Sequence, residues 1–212
     1  MQNPKCDHID FMRSFEGNRE ETTEIYRIVR DSITDQGLVF FGGYASSLYS
    51  RYMPKNKRAM FNRKSPDFDA LSEDPETSAT IIKERLKDEG FEKVKIHKHP
   101  GFGEIISPHY EVTIDEDTVA FIYKPLACHS YNVIRLGGKK VKVATIDTML
   151  SFFLAFLYAD RPYYEHDRII CMSQYLFKVQ AKNRLEQKGV LKRFSLKCIG
   201  NQKTLEDSRA EK

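Results

Sequence analysis

Ile25, Ile28, Val29 and Ile33 recur at helical spacing within residues 20–36, and Gly37 is a natural stop. Leu38 to Phe41 is a short apolar run that predicts a buried strand. Gly42-Gly43 then predicts a turn, and Tyr44 to Tyr52 a short helix with Ala45, Leu48 and Tyr49 on one side. After a linker from Met53 to Pro66, Asp67 to Leu71 predicts a second strand. A helix follows from Glu76 to Glu89, with Ile81, Ile82, Arg85 and Leu86 spaced for one packed face. Val94-Lys95-Ile96 alternates as a half-exposed strand does. Tyr110 to Ile114 and Thr118 to Tyr123 predict a hairpin joined at Asp115-Glu116-Asp117. Tyr131 to Leu136 and Lys140 to Val143 predict another, turned by Gly137-Gly138. Thr145 suits the cap of a helix running through Ala159, and a further helix covers Arg168 to Lys182 or beyond. Residues 201–212 read as a frayed polar tail.

This order of elements predicts an α+β fold: a mixed sheet with flanking helices, followed by a helical C-terminal region. The segments are a polar stretch at 1–19, a core at 20–145, a helical region at 146–200 and the tail at 201–212. The 212 residues and 41% hydrophobic content are enough for a substantial core. The longest apolar stretch, Met149 to Ala159, falls short of the ~20 residues a membrane span needs and reads as a buried helix. The start, Met1-Gln2-Asn3-Pro4-Lys5, has no apolar run, so no signal peptide is expected. Cys6, Cys128, Cys171 and Cys198 are far apart and form no CxxC pair. Reduced thiols are expected, with neither a zinc site nor a disulfide framework. A net charge of +4 permits a polyanionic partner without requiring one.

The candidate chemistry centres on Asp67-Phe68-Asp69. In a strand, residues i and i+2 share a face, so both carboxylates converge while Phe68 points into the core. Two like charges ~4 Å apart repel by about 4 kcal/mol at a surface-like dielectric, which invites either a divalent cation or a strongly raised pKa. Gly42-Gly43 stands between a strand and a helix, where backbone N–H groups at a helix start form an anion site and glycine lets a phosphate approach. Ser46 and Ser47 could add hydroxyl donors. Paired carboxylates near such a turn are parts of a two-metal phosphoryl-transfer site.

This combination of glycine pair, helix, strand and Asp-Phe-Asp resembles the nucleotidyltransferase superfamily of polymerase β and the poly(A) polymerases. Longer strings carry the resemblance further: Phe40-Phe41-Gly42-Gly43-Tyr44-Ala45, then Pro66 through Pro75, Tyr123 through Asn132, and Ala144 through Phe152. From about residue 35 to 195 the chain is similar to the poly(A) polymerase catalytic subunits of large nucleocytoplasmic DNA viruses. The resemblance implies a polymerase-β-like fold and template-independent addition of AMP from ATP to an RNA 3′ end, with Mg²⁺ or Mn²⁺. It also implies a place in the host cytoplasm or virion rather than secretion, with a homodimer or a processivity partner among the candidate assemblies. By motif position, Gly42, Gly43 and Ser46 or Ser47 would hold the triphosphate, and Asp67 and Asp69 the metals.

Two departures stand out. The stretch from Gly43 to Asp67 is longer than the superfamily usually has, and it is basic, with Lys55, Lys57, Arg58, Arg63 and Lys64. The superfamily also carries a third carboxylate on a neighbouring strand. Glu111 is the best candidate because it lies inside a predicted strand, whereas Asp115 and Asp117 belong to the turn and the strand Thr118 to Tyr123 offers no acid. Lys124 is a candidate for neutralising a triphosphate, and Tyr131 and Asn132 for contacting a base or ribose. His97, His99 and His109 read as surface or hairpin histidines rather than a metal cluster, and Cys128 as a packed cysteine. The segment Lys178 to Lys197 is strongly basic, with Phe177 and Phe194 nearby, which suits either an RNA backbone or a solvated helix face. Two alternatives stay open: a truncated or inactive RNA-binding or assembly module on this fold, and a nucleotidyltransferase with a non-RNA acceptor.

Overall fold

The computed structural model describes residues 6, 19–53, 55–58, 67–161, 164–202 and 204–210. The first helix, α1 (Arg19–Asp35), buries Ile25, Ile28, Val29 and Ile33 on one side. Gly37, at φ 68°, ends it and donates its N–H to the Thr34 carbonyl at 3.0 Å. Strand β1 (Val39–Phe41) is wholly buried and runs directly into α2 (Gly42–Tyr49). Gly42-Gly43 is therefore the first turn of a helix rather than a turn preceding one. Gly42, at φ 62°, makes the reversal from strand to helix within a single residue. The predicted helix to Tyr52 finishes as a 3₁₀ turn, Ser50–Tyr52. A short helix, α3 (Lys55–Arg58), follows, and Arg58 donates to the carbonyls of Met53 and Arg51. Arg63 and Lys64 lie outside the described residues, as does most of the N-terminal polar segment.

Strand β2 (Phe68–Leu71) leads into α4 (Pro75–Asp88). Asp74 caps α4 by accepting from the Thr77 N–H at 3.1 Å, and proline suits its first turn. Ile82 and Leu86 are fully buried on α4, whereas Ile81 turns outward, so the packed face is narrower than the sequence suggests. Strands β3 (Val94–His99), β4 (His109–Ile114) and β5 (Asp117–Tyr123) form an antiparallel meander. Strands β6 (His129–Leu136) and β7 (Lys139–Ala144) form the second hairpin, with Gly137 and Gly138 both at positive φ as its tight turn requires. Helix α5 (Ile146–Ala159) is capped by Thr145 and followed by α6 (His166–Lys182). The chain then adds a two-residue strand, β8 (Cys198–Ile199), inside the segment read as helical, and a helix, α7 (Leu205–Ala210), inside the stretch read as a frayed tail.

These strands make one eight-stranded sheet in the order β3-β4-β5-β2-β1-β7-β6-β8. At its centre β1 pairs antiparallel with β2, and each has a parallel neighbour outside, β7 and β5. Helices α1 and α4 pack together against one face. On that face Phe68 meets Tyr26, Phe40 and Tyr44 at ring-centroid distances of 4.9, 5.8 and 5.1 Å. On the other face Phe41 and Tyr123 pack against Phe152 and Phe156 of α5. Fully burying a Phe stabilises the fold by about 1.5–3 kcal/mol, so the aromatics on the two faces hold the central strands from both sides. Among the described residues no helix is long and apolar enough to cross a membrane.

The cysteines depart from expectation. Cys6 is bonded to Cys171 on α6, and Cys128 to Cys198 on β8. Sequence distance hid both pairs, because β8 lies beside the start of β6 in space although 70 positions separate the second pair. Cys128 is thus a crosslink rather than a packed thiol.

Candidate active site

The alternation of β2 sets the site. Phe68 faces Tyr26 of α1 and Tyr44 of α2, which turns Asp69 to the opposite face, and Asp67 precedes the strand by one residue. Both aspartates line one open cleft together with Gly42 and Gly43. Phe41 pairs with Asp69 across β1 and β2, so the start of α2 lies beside the carboxylate. A methyl group built on Gly42 would stand 1.8 Å from Asp69 Oδ2. Only glycine leaves room there, and its positive φ excludes other residues a second time. Gly43 has open space around its Cα. The floor and walls of the cleft are Phe121 and Tyr123 of β5, Phe153 and Phe156 of α5, Tyr164, and Arg168, Ile169 and Met172 of α6.

Other candidate residues lie elsewhere or have their hydrogens engaged. The Ser46 hydroxyl is buried and donates to the Gly42 carbonyl at 2.7 Å, and the Ser47 hydroxyl donates to the Tyr44 carbonyl at 2.6 Å. Each tightens α2, leaving only lone pairs to face outward. Glu111 is on the same face as Asp69 but two strands away: Glu111 pairs with Phe121, and Phe121 pairs with Asp69. Its carboxylate accepts from the Thr118 hydroxyl and lies 2.6 Å from His99 Nε2. Phe121 therefore occupies the position next to Asp69 where a third acid would stand, and Glu111 is not among the residues lining the cleft. Lys124 is exposed beyond the end of β5, level with Ser72, whose N–H donates to the Tyr123 carbonyl at 2.9 Å. There its charge assists the Thr77 hydrogen bonds in holding the Asp74 carboxyl below its ordinary range. Asn132 is buried and donates to the carbonyls of Val190 and Lys192, which fastens the segment after α6 to the sheet. Tyr131 sits under the ammonium of Lys142 at 5.4 Å.

The histidines flank the cleft as part of its aromatic support. His109 is buried, stacks on Tyr123 at 4.3 Å and on His99 at 5.2 Å, and lies 3.1 Å through Nδ1 from the Ser107 carbonyl. Nδ1 must carry the proton to bond a carbonyl, so Nε2 is bare, and it is buried with no partner. Burial pushes His109 down to about 4, because protonation would place an uncompensated charge there. His129, beside Phe152, is also lowered by burial. Among the described residues no group of three or more His, Cys, Asp and Glu is arranged to hold a metal. Two convergent carboxylates nevertheless suit a hard cation such as Mg²⁺ or Mn²⁺ that completes its shell with water and substrate phosphates.

Sequence reasoning did not reveal Arg168, Phe153, Phe156 or Tyr164 as cleft residues. They come from the helical region, and nothing local in the sequence says that α5 and α6 fold back over the mouth of β1. The one available signal was the apolar stripe Phe152, Phe153, Phe156, which marks the buried side of α5.

A central antiparallel strand pair, a helix starting on glycines at the end of its first strand and an Asp-x-Asp on its second define the nucleotidyltransferase fold of the polymerase β type. Along 94% of its length the chain is similar to the crystal structure of the Megavirus polyadenylate synthase, with a TM-score of 0.71 and 12% sequence identity. It spans 45% of that synthase. Two further structures overlap with a TM-score of 0.38. One is ANT(2")-Ia in complex with adenylyl-2"-tobramycin (14% identity, covering 80% of this chain and 99% of that one). The other is an antigenic nucleotidyltransferase-like protein from Paracoccidioides brasiliensis (16% identity, covering 85% and 95%). Overlap at that level carries no argument. No protein-family model and no curated protein matches the sequence.

Proposed function

We propose that this chain is the nucleotidyl-transfer unit of a polynucleotide adenylyltransferase, which adds AMP from ATP to an RNA 3′ end. The observation that carries the reading is the meeting of Asp67, Asp69 and the Gly42-Gly43 helix start in one cleft. The viral synthase neighbour supports RNA as acceptor. The first N–H groups of α2, which have no partner within the helix, receive phosphate oxygens of the nucleotide. Asp67 and Asp69 would hold a divalent cation; Mg²⁺ or Mn²⁺ there would supply positive charge for the phosphoryl oxygens and ease deprotonation of the acceptor hydroxyl. The 3′ oxygen, its proton passing to water, then bonds the α-phosphorus as the bond to pyrophosphate breaks. Glu111, engaged by His99 and Thr118, serves the β3–β4–β5 meander.

Extension of a labelled oligonucleotide with ATP and Mn²⁺ tests this directly. Asp67→Asn and Asp69→Asn are each expected to lower the rate by about 10²-fold or more, the scale seen when one electrostatic contact to a transition state is removed. Glu111→Gln should stay within a few-fold of the parent. Full activity in the Asp67/Asp69 double variant would sink the proposal. Phe121 favours one second reading, a nucleotide- and RNA-binding module without turnover, because it withholds an acid from the strand beside Asp69. ATP binding without primer extension, and extension gained on Phe121→Asp, would select that reading.

A further inference from the structure

Helix α6 presents Arg168, Ile169 and Met172 to the cleft, at the i, i+1, i+4 spacing of one helix side. Ile169 and Met172 are buried at 3% and 2% exposure and anchor the helix. Arg168 is different in kind. Its Nε is buried and has no hydrogen-bond partner. A charged donor held out of water without a partner is unfavourable, and none of the acceptor oxygens in the same cleft, on Asp67, Asp69, Tyr123 or Tyr164, bonds Nε. Arg168 is also the one basic side chain among the described residues lining a cleft that carries Asp67 and Asp69. Apart from the α2 amides and a cation at the carboxylates, a substrate bearing several phosphate charges would otherwise meet no positive group among the described residues of this cleft. A planar guanidinium with parallel N–H groups matches two oxygens of one phosphate better than any other side chain does.

We propose that Arg168 is a phosphate-binding residue, whose guanidinium takes a phosphate of the substrate engaged at Asp67 and Asp69. This rests on the nucleotidyl-transfer reading above. The phosphate belongs either to the nucleotide or to the acceptor strand, and separate probes tell the two apart.

Labelling of the wild-type chain with phenylglyoxal, read at the Arg168 peptide by mass spectrometry, needs no variant. Protection by ATP with Mg²⁺ or by tripolyphosphate, but not by adenosine, assigns the nucleotide's phosphate. Protection by a short oligoadenylate alone assigns the acceptor's. Protection by none of these overturns the proposal. In parallel, Arg168→Gln, checked for an unchanged melting temperature, should weaken binding of the protecting probe about 10- to 100-fold, the range expected for a charged hydrogen-bonded contact. Arg168→Lys, which keeps the charge without the fork, should recover part of that loss. Equal binding by wild type and Arg168→Gln also overturns it. The two readings fail separately. If phosphate binding depends on Arg168 while the wild type transfers no AMP, the nucleotidyl-transfer reading falls and the Arg168 site stands. If primers are extended and Arg168→Gln leaves KM and kcat unchanged, the reverse holds.

Discussion

At the scale of single residues, two positions have consequences that no neighbour can absorb. Gly42 combines a left-handed backbone with the space that Asp69 Oδ2 fills. An alanine there would carry the ~1–2 kcal/mol penalty of that conformation and would push its methyl into the carboxylate. Gly42→Ala is therefore expected to lose metal-dependent nucleotide binding, and its melting temperature should fall. Gly43→Ala, with open space at its Cα, should melt within about a degree of the parent. His109 gives a pH dependence of known sign. Its folded pKa of about 4 lies below the ordinary 6.5, so the unfolded chain binds its proton first as pH falls. The stability it contributes is fully present above about 6.5 and is lost as pH drops toward 4, a total on the order of 3 kcal/mol. His99, Glu111 and Arg161 also act electrostatically on His109, so the variant comparison isolates it. His109→Phe keeps the stack on Tyr123 and should flatten the decline in melting temperature between pH 7 and pH 5. An unchanged slope would show that His109 is not the group responsible.

At the scale of elements, what the sequence revealed and what it hid divide along local and non-local lines. The helices α1, α4 and α5 were legible because each carries its own stripe, stop or cap: the Ile25–Ile33 stripe with Gly37, Asp74 with Pro75, and Thr145. Both hairpins were legible from their turns, one through Gly137-Gly138 and the other through an acidic turn whose Asp115 and Glu116 adopt positive φ. The Asp67/Asp69 pairing was legible because strand alternation is a local property. By contrast, β8 is two residues long and exists only because β6 offers an edge at His129 and Ser130. Glu111 looked suitable by being an acid in a strand. Only the register shows that Phe121 separates it from Asp69. The cleft wall from α5 and α6 was hidden for the same reason, since packing between distant segments leaves no periodic trace.

At the scale of the whole molecule, the two crosslinks tie chain ends to the body. Cys128–Cys198 closes a loop with a sequence separation of 70, which on a chain-entropy view stabilises the fold by about 4 kcal/mol. The same junction is held by the Gly200 N–H donating to Glu73 at 2.8 Å. Opening this loop is therefore expected to lower the melting temperature by on the order of 10 °C for a chain of this size. Cys128→Ser should show that shift, and reduction, which also opens Cys6–Cys171, should show a larger one; melting curves that superimpose with and without reductant would contradict the pairing. A last consequence belongs to Phe68. Its ring is gripped by Tyr26, Phe40 and Tyr44 on the face away from the cleft. A slip of β2 by one position would swing that ring into the cleft and drive both acids into the aromatic core. The residue between the aspartates is thus the keel of the cleft: buried on the opposite face, it keeps both carboxylates turned to the open side. Phe68→Ala should weaken the fold by about 3–5 kcal/mol while leaving every reacting group in the sequence.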